Sequence, residues 1–107
     1  MSAARNRAAG RVNIPAVAQA ALPHLAALCA RWLPGGRLEG REWTAGSLRG
    51  EPGRSLRVNI QSGRWCDFAT GARGGDAVSL AAAIARCSQV EAARNLAAML
   101  GIEGGRQ

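Results

Sequence analysis

The chain contains no lysine and no tyrosine, one histidine, one phenylalanine and three cysteines. Each shortage excludes something. A four-ligand Cys/His zinc site would need Cys29, Cys66, Cys87 and His24 together, and their spacing fits no common zinc motif. An odd cysteine count without a secretory leader argues against a disulfide scaffold. No apolar run approaches the ~20 residues that cross a bilayer. These absences predict a cytoplasmic protein with no metal, no cofactor and no membrane partner.

Acidic residues are also scarce, seven against fourteen arginines. No D-x-D or E-x-x-x-D cluster offers a Mg²⁺ site. His24 falls beside the apolar stripe of a predicted helix and has no Ser or Cys poised next to it, so it reads as a partly buried packing residue. Neither a nucleophile with its base nor a carboxylate pair is present, and no autonomous catalytic site is expected.

What remains is a small, alanine-rich, basic chain. Its 107 residues suit one domain. The hydrophobic share of 48% fits a globular fold, but 23 of those residues are Ala and only 25 are Val, Ile, Leu, Met, Phe or Trp. The net charge of +7 comes entirely from arginine on the basic side. Such an excess concentrates polyanions near the surface and favours a nucleic-acid partner.

Residues 1–12 carry Arg5, Arg7 and Arg11 and read as a flexible basic arm. A helix follows over about Ile14–Trp32, capped by Asn13, with Val17, Ala21, Leu25, Leu28 and Trp32 on one face. Pro23 should kink or split it, and Pro34-Gly35-Gly36 ends it. Strands are then predicted at Glu42–Ala45, Ser55–Ile60 and Arg64–Phe68. In the second, Leu56, Val58 and Ile60 alternate with Ser55, Arg57 and Asn59, the signature of a half-buried strand. Gln61-Ser62-Gly63 is the hairpin turn between the last two. A glycine-rich loop leads to Asp76, the predicted cap of a helix running to about Ala85. Ser88 and Glu91 predict the start of a final helix, closed by Gly101. Residues 103–107 form a tail. The expected fold is α+β: a small three-stranded antiparallel sheet with an N-terminal helix and two C-terminal helices.

The loop Gly71-Ala72-Arg73-Gly74-Gly75-Asp76 precedes a helix N-terminus, a place that favours anions. It lacks G-K-[ST] and G-x-G-x-x-G, and Asp76 at the cap would repel a phosphate, so a structural turn is the better reading. Arginine placement says more. Arg41, Arg49, Arg54, Arg57, Arg64 and Arg73 all fall in the strand-and-loop region and are the candidate phosphate contacts. A small sheet that shows Arg to solvent beside a Trp can hold a nucleic-acid backbone and stack a base. Trp65 is the candidate stacking residue, against the plainer reading that Trp43 and Trp65 are core. Trp32 is assigned to the core.

The run Gly63-Arg64-Trp65-Cys66-Asp67-Phe68-Ala69-Thr70-Gly71, followed by Gly74-Gly75-Asp76 and an Ala/Leu helix, resembles the N-terminal domain of phage and plasmid primase-helicase proteins. Gly40-Arg41-Glu42-Trp43 and Gly53-Arg54-Ser55-Leu56-Arg57-Val58 match its approach. The resemblance covers roughly residues 15–102. That domain is similar in plan to the zinc-binding domain of bacterial primases, which helps engage single-stranded template DNA. By this likeness the C-x2-C positions fall on Phe68 and Gly71, and the first ligand pair falls near Trp43–Gly46. The resemblance therefore implies a zinc-type fold without zinc ligands, in which apolar packing such as Phe68 replaces the metal and Cys66 is a packed thiol. It places polymerase and helicase activities in further domains and none in this one.

Two functional expectations result. The first is a non-catalytic module, residues 13–102, that binds single-stranded DNA within a mobile-element primase or replication protein. The second is a stand-alone protein-binding inhibitor or scaffold, directed at replication proteins or at a nucleic-acid-binding effector as an anti-CRISPR would be.

Overall fold

The computed structural model describes residues 12–101. The predicted arm, apart from Val12, and the tail at 103–107 lie outside the described residues.

The N-terminal helical stretch is split as Pro23 requires. Helix α1 spans Ile14–Ala21 and α2 spans Leu25–Trp32, with a 3₁₀ turn at Leu22–His24 between them. Asn13 caps α1, its side chain accepting the Ala16 N–H at 3.0 Å. His24 ends the 3₁₀ turn and is exposed, not partly buried as expected. The proline-driven break turns it away from the stripe formed by Val17, Ala21, Leu25 and Leu28, all of which are buried.

Five antiparallel strands follow in sequence order: β1 Arg37–Glu39, β2 Glu42–Ala45, β3 Leu56–Asn59, β4 Trp65–Asp67 and β5 Arg73–Gly74. The α+β class is as expected, but the sheet has two strands more than the three predicted. The extra strands are the edges. They are three and two residues long, too short to carry an alternating pattern. Neighbouring strands draw them in: Arg37 pairs with Thr44, and Cys66 pairs with Arg73.

The sheet has two unlike faces, fixed by the two-residue side-chain period. Leu56 and Val58 of β3 and Trp65 of β4 turn inward and join one buried cluster with Leu25, Leu28, Leu33 and Val78. Helix α3, Ala77–Ala85, and helix α4, Gln89–Leu100, complete that cluster, packing against each other and against α1. The alternate residues Arg57, Cys66 and Arg73 turn outward.

The predicted caps are present. Asp76 and Ser79 form a reciprocal capping box at α3: the Asp76 carboxylate accepts the Ser79 N–H at 2.8 Å. Ser88 Oγ accepts the Glu91 N–H at 3.1 Å at the head of α4. No helix among the described residues is long and apolar enough to cross a membrane.

Candidate nucleic-acid interface

The outward face of β3–β5 forms a shallow hollow of about 650 Å³. Strand register arranges its side chains. Arg57 on β3, Cys66 on β4 and Arg73 on β5 stand in one row across the strands. Arg64 precedes β4 near the hairpin turn, and Phe68 follows β4 at its other end. Cys66 is thus the centre of a diamond whose corners are Arg57, Arg64, Arg73 and Phe68, and all five line the hollow.

Phe68 is 68% exposed. The Arg57 guanidinium lies over its ring, 5.6 Å from the centroid, within cation–π range. This overturns the expectation that Phe68 packs inward in place of a metal. The alternation that sends Trp65 and Asp67 inward sends Phe68 outward with Cys66. Read one residue further along β4, the sequence carried that signal, but likeness to a ligand position masked it.

Trp65 is corrected in the opposite direction. Its ring is on the core face and only 5% exposed. Its indole N–H donates to Ser79 Oγ at 2.9 Å. It touches the hollow from beneath and presents no ring face for a base. Gly74 permits this arrangement, because a Cβ there would overlap both Ser79 Oγ and the Trp65 indole nitrogen. The Gly-Gly-Asp segment is thereby accounted for as structure: Gly74 gives clearance, and Asp76 caps the helix that carries Ser79.

The Asp67-Phe68-Ala69-Thr70-Gly71 turn has a similar logic. Asp67 is 2% exposed, and its carboxylate accepts the Ala69 N–H at 2.9 Å while its carbonyl accepts the Gly71 N–H at 2.7 Å. Gly71 closes the turn at φ 84°, a conformation costly for any residue with a Cβ. An aspartate-anchored turn therefore holds Phe68 out of the core.

The other predicted arginines are spread more widely. Arg54 places Nη2 2.9 Å from Glu39 and borders a second hollow on the far side of the Arg57–Phe68 pair. Arg41 is exposed in the β1–β2 turn, where its carbonyl accepts the Ile60 N–H at 2.9 Å. Arg49 is exposed in the loop after β2, beside Glu51. There the Ser47 hydroxyl, a backbone N–H and then Arg49 hold the Glu51 carboxyl below its usual range. Arg41 and Arg49 do not line the hollow. Trp43, half-buried, donates its indole N–H to the Leu33 carbonyl at 3.1 Å. The structure thus brings together Arg57, Arg64 and Arg73, sets Arg54 next to them, and leaves Arg41 and Arg49 apart.

Charge is distributed unevenly over this face. Glu39 takes both Arg37, at 3.1 Å, and Arg54. Glu42 approaches Arg57 only to 3.9 Å. Among the described residues, no carboxylate pairs with Arg64 or Arg73. No three His, Cys, Asp or Glu side chains come together among the described residues as a metal ion would need. Phe68 and Gly71, at the implied zinc positions, offer no donor side chain. Comparison with protein-family models, curated proteins and solved structures finds no match to the chain.

Proposed function

We propose that this chain is a non-catalytic module that binds single-stranded DNA on the outward face of β3–β5. In this reading it serves as the template-engaging domain of a mobile-element primase or replication protein. One observation carries the reading. Arg64 and Arg73, which no carboxylate pairs among the described residues, share a hollow with Arg57 and an exposed phenyl ring, with Glu42 at its edge. Solvated arginines gain most when a phosphate displaces counterions, and an exposed ring gains most when a base covers it. The functional surface is then Arg57, Arg64, Arg73 and Phe68, with Arg54 at its border and Trp65 as its floor.

Titration of fluorescent oligo-dT at low salt tests this. Binding that weakens as salt rises is expected, together with a loss of about tenfold or more when Arg57, Arg64 and Arg73 are replaced by Ala together. An unchanged affinity in that triple variant, with its melting temperature intact, would move the binding surface elsewhere and end the proposal.

A further inference from the structure

The diamond around Cys66 also has dimensions, and these define the ligand. The row Arg57–Cys66–Arg73 crosses three strands, so its outer Cα atoms stand about 10 Å apart at the usual ~4.8 Å strand spacing. Arg64 and Phe68 lie at opposite ends of β4, four residues apart, which is roughly 13 Å along an extended strand. Outside this diamond the face changes character. Beyond β3 the outward positions are Arg37 and Glu39 of β1 and Glu42 and Thr44 of β2. Thr44 is buried, and Glu39 holds Arg37 and Arg54. Glu42, which lines the hollow's β2 border beside Arg57, would repel a continuing phosphate chain. Beyond β5, a two-residue edge strand, the sheet ends.

Phe68 decides between paired and unpaired ligands. One side of its ring already carries the Arg57 guanidinium, and the ring remains 68% exposed. A duplex keeps its bases stacked on each other and presents only sugar and phosphate to a flat sheet. An unpaired strand can lay a base on the ring's open side and gain the stacking a duplex cannot supply.

We infer that the hollow takes a very short unpaired segment, about three nucleotides, with one base on Phe68 and phosphates on Arg57, Arg64 and Arg73. This rests on the nucleic-acid reading above and adds the footprint, the strandedness and the stacking residue. Arg57 acts twice, as a phosphate contact and as a positioning residue that holds the phenyl ring. The site is smaller than the ~4–16 nucleotides that a typical single-strand-binding barrel covers. It suits a module that fixes a few template bases in place more than one that coats a strand.

The experiment uses the full chain and a dT series of about 2 to 12 nucleotides, read by fluorescence anisotropy over a range of salt, with a hairpin duplex and an abasic strand of equal length alongside. Affinity should climb steeply up to about four nucleotides and then rise only with the number of overlapping registers. Each of Arg57→Ala, Arg64→Ala and Arg73→Ala should flatten the log–log salt slope by about 0.7. Phe68→Leu should weaken dT binding about five- to hundredfold and leave the abasic strand unchanged. Because Phe68 is exposed, Phe68→Leu should melt with the parent, so a loss of fold is separable from a loss of stacking. Cys66 gives a second readout: a bound four-nucleotide strand should protect its thiol from alkylation. Affinity that keeps growing steeply past about eight nucleotides would overturn the footprint, as would an equal effect of Phe68→Leu on the abasic strand, while leaving nucleic-acid binding itself standing. Absence of binding by every strand at low salt would end both.

Discussion

The two faces of β3 and β4 are built from alternate residues of the same short strands, yet they obey different rules. Inward, Leu56, Val58 and Trp65 are buried, and the one polar atom of that set, the Trp65 indole nitrogen, has its partner. Outward, Glu39 and Glu42 offset Arg37, Arg54 and, at 3.9 Å, Arg57. The inner face has every polar side-chain atom of this set partnered, whereas the outer face leaves Arg64 and Arg73 without a carboxylate among the described residues. Under the proposed function, folding and binding can therefore be separated by moving a single position along one strand.

The neighbours Leu56 and Arg57 provide the strongest test. Leu56 is fully buried, and Leu56→Ala should cost about 2–5 kcal/mol, enough to unfold much of a domain with so few large core residues. Arg57→Ala should change stability by no more than ~1 kcal/mol, since its ion pair is long and exposed and its cation–π contact lies on an exposed ring. Urea denaturation reads both. Similar costs at the two positions would mean that the outer face is structural as well.

The cysteines extend the comparison to the helical layer. Cys29 on α2 is fully buried, and burial pushes its thiol from 9.0 up to about 12. Above pH 9 the unfolded chain loses this proton while the folded chain keeps it. Stability should therefore be unaffected by this group below pH 9 and should fall above it by about 1.4 kcal/mol per pH unit, until the folded thiol also ionises. Cys29→Ala should remove that alkaline slope in denaturation curves taken between pH 8 and 11. Half-buried Cys66 should be alkylated in the native state and Cys29 only on unfolding. Equal labelling rates would show that the helical layer opens as readily as the sheet face.

Much of this was legible in the sequence, for identifiable reasons. Long elements with a period announced themselves: the α1–α2 stripe, the β3 alternation, and the caps at Asn13, Asp76 and Ser88. Edge strands of two or three residues did not, because their pairing is imposed by neighbours and not by their own pattern. The arginine-bearing face was readable from β3, since Arg57 must oppose Leu56 and Val58. The aromatic is misassigned from sequence because two aromatics stand three residues apart in Trp65-Cys66-Asp67-Phe68, and likeness to a zinc-ligand position assigns Phe68 to inward packing. The strand period puts them on opposite faces, and the Asp67 turn keeps Phe68 outside. The same turn gives the next prediction. Asp67→Ala leaves the Ala69 N–H without its side-chain partner and should cost about 1–2 kcal/mol, whereas Asp67→Asn, which retains an acceptor, should cost less in the same melts.

The smallest expected effect is the one that tests whether the outer face is divided as described. Glu42 stands at the border between the neutralised strands and the basic ones, 3.9 Å from Arg57. Both side chains are partly exposed, so the pair is worth well under ~1 kcal/mol to the fold. Its carboxylate nevertheless competes with any phosphate for the Arg57 guanidinium and repels a chain passing toward β2. Glu42→Gln keeps the shape and removes the charge. Affinity for a short dT strand should rise about two- to fivefold, most at low salt, because the repulsion is screened within a Debye length of about 10 Å at 0.1 M. Glu91→Gln is the matched control, removing the same charge from the exposed first turn of α4, in the helical layer. Net charge changes equally in the two variants, so a rise confined to Glu42→Gln assigns the effect to position on the sheet. Equal gains would mean that strands respond to the total charge of +7, and the contrast between the two halves of the outer face would have no role in binding.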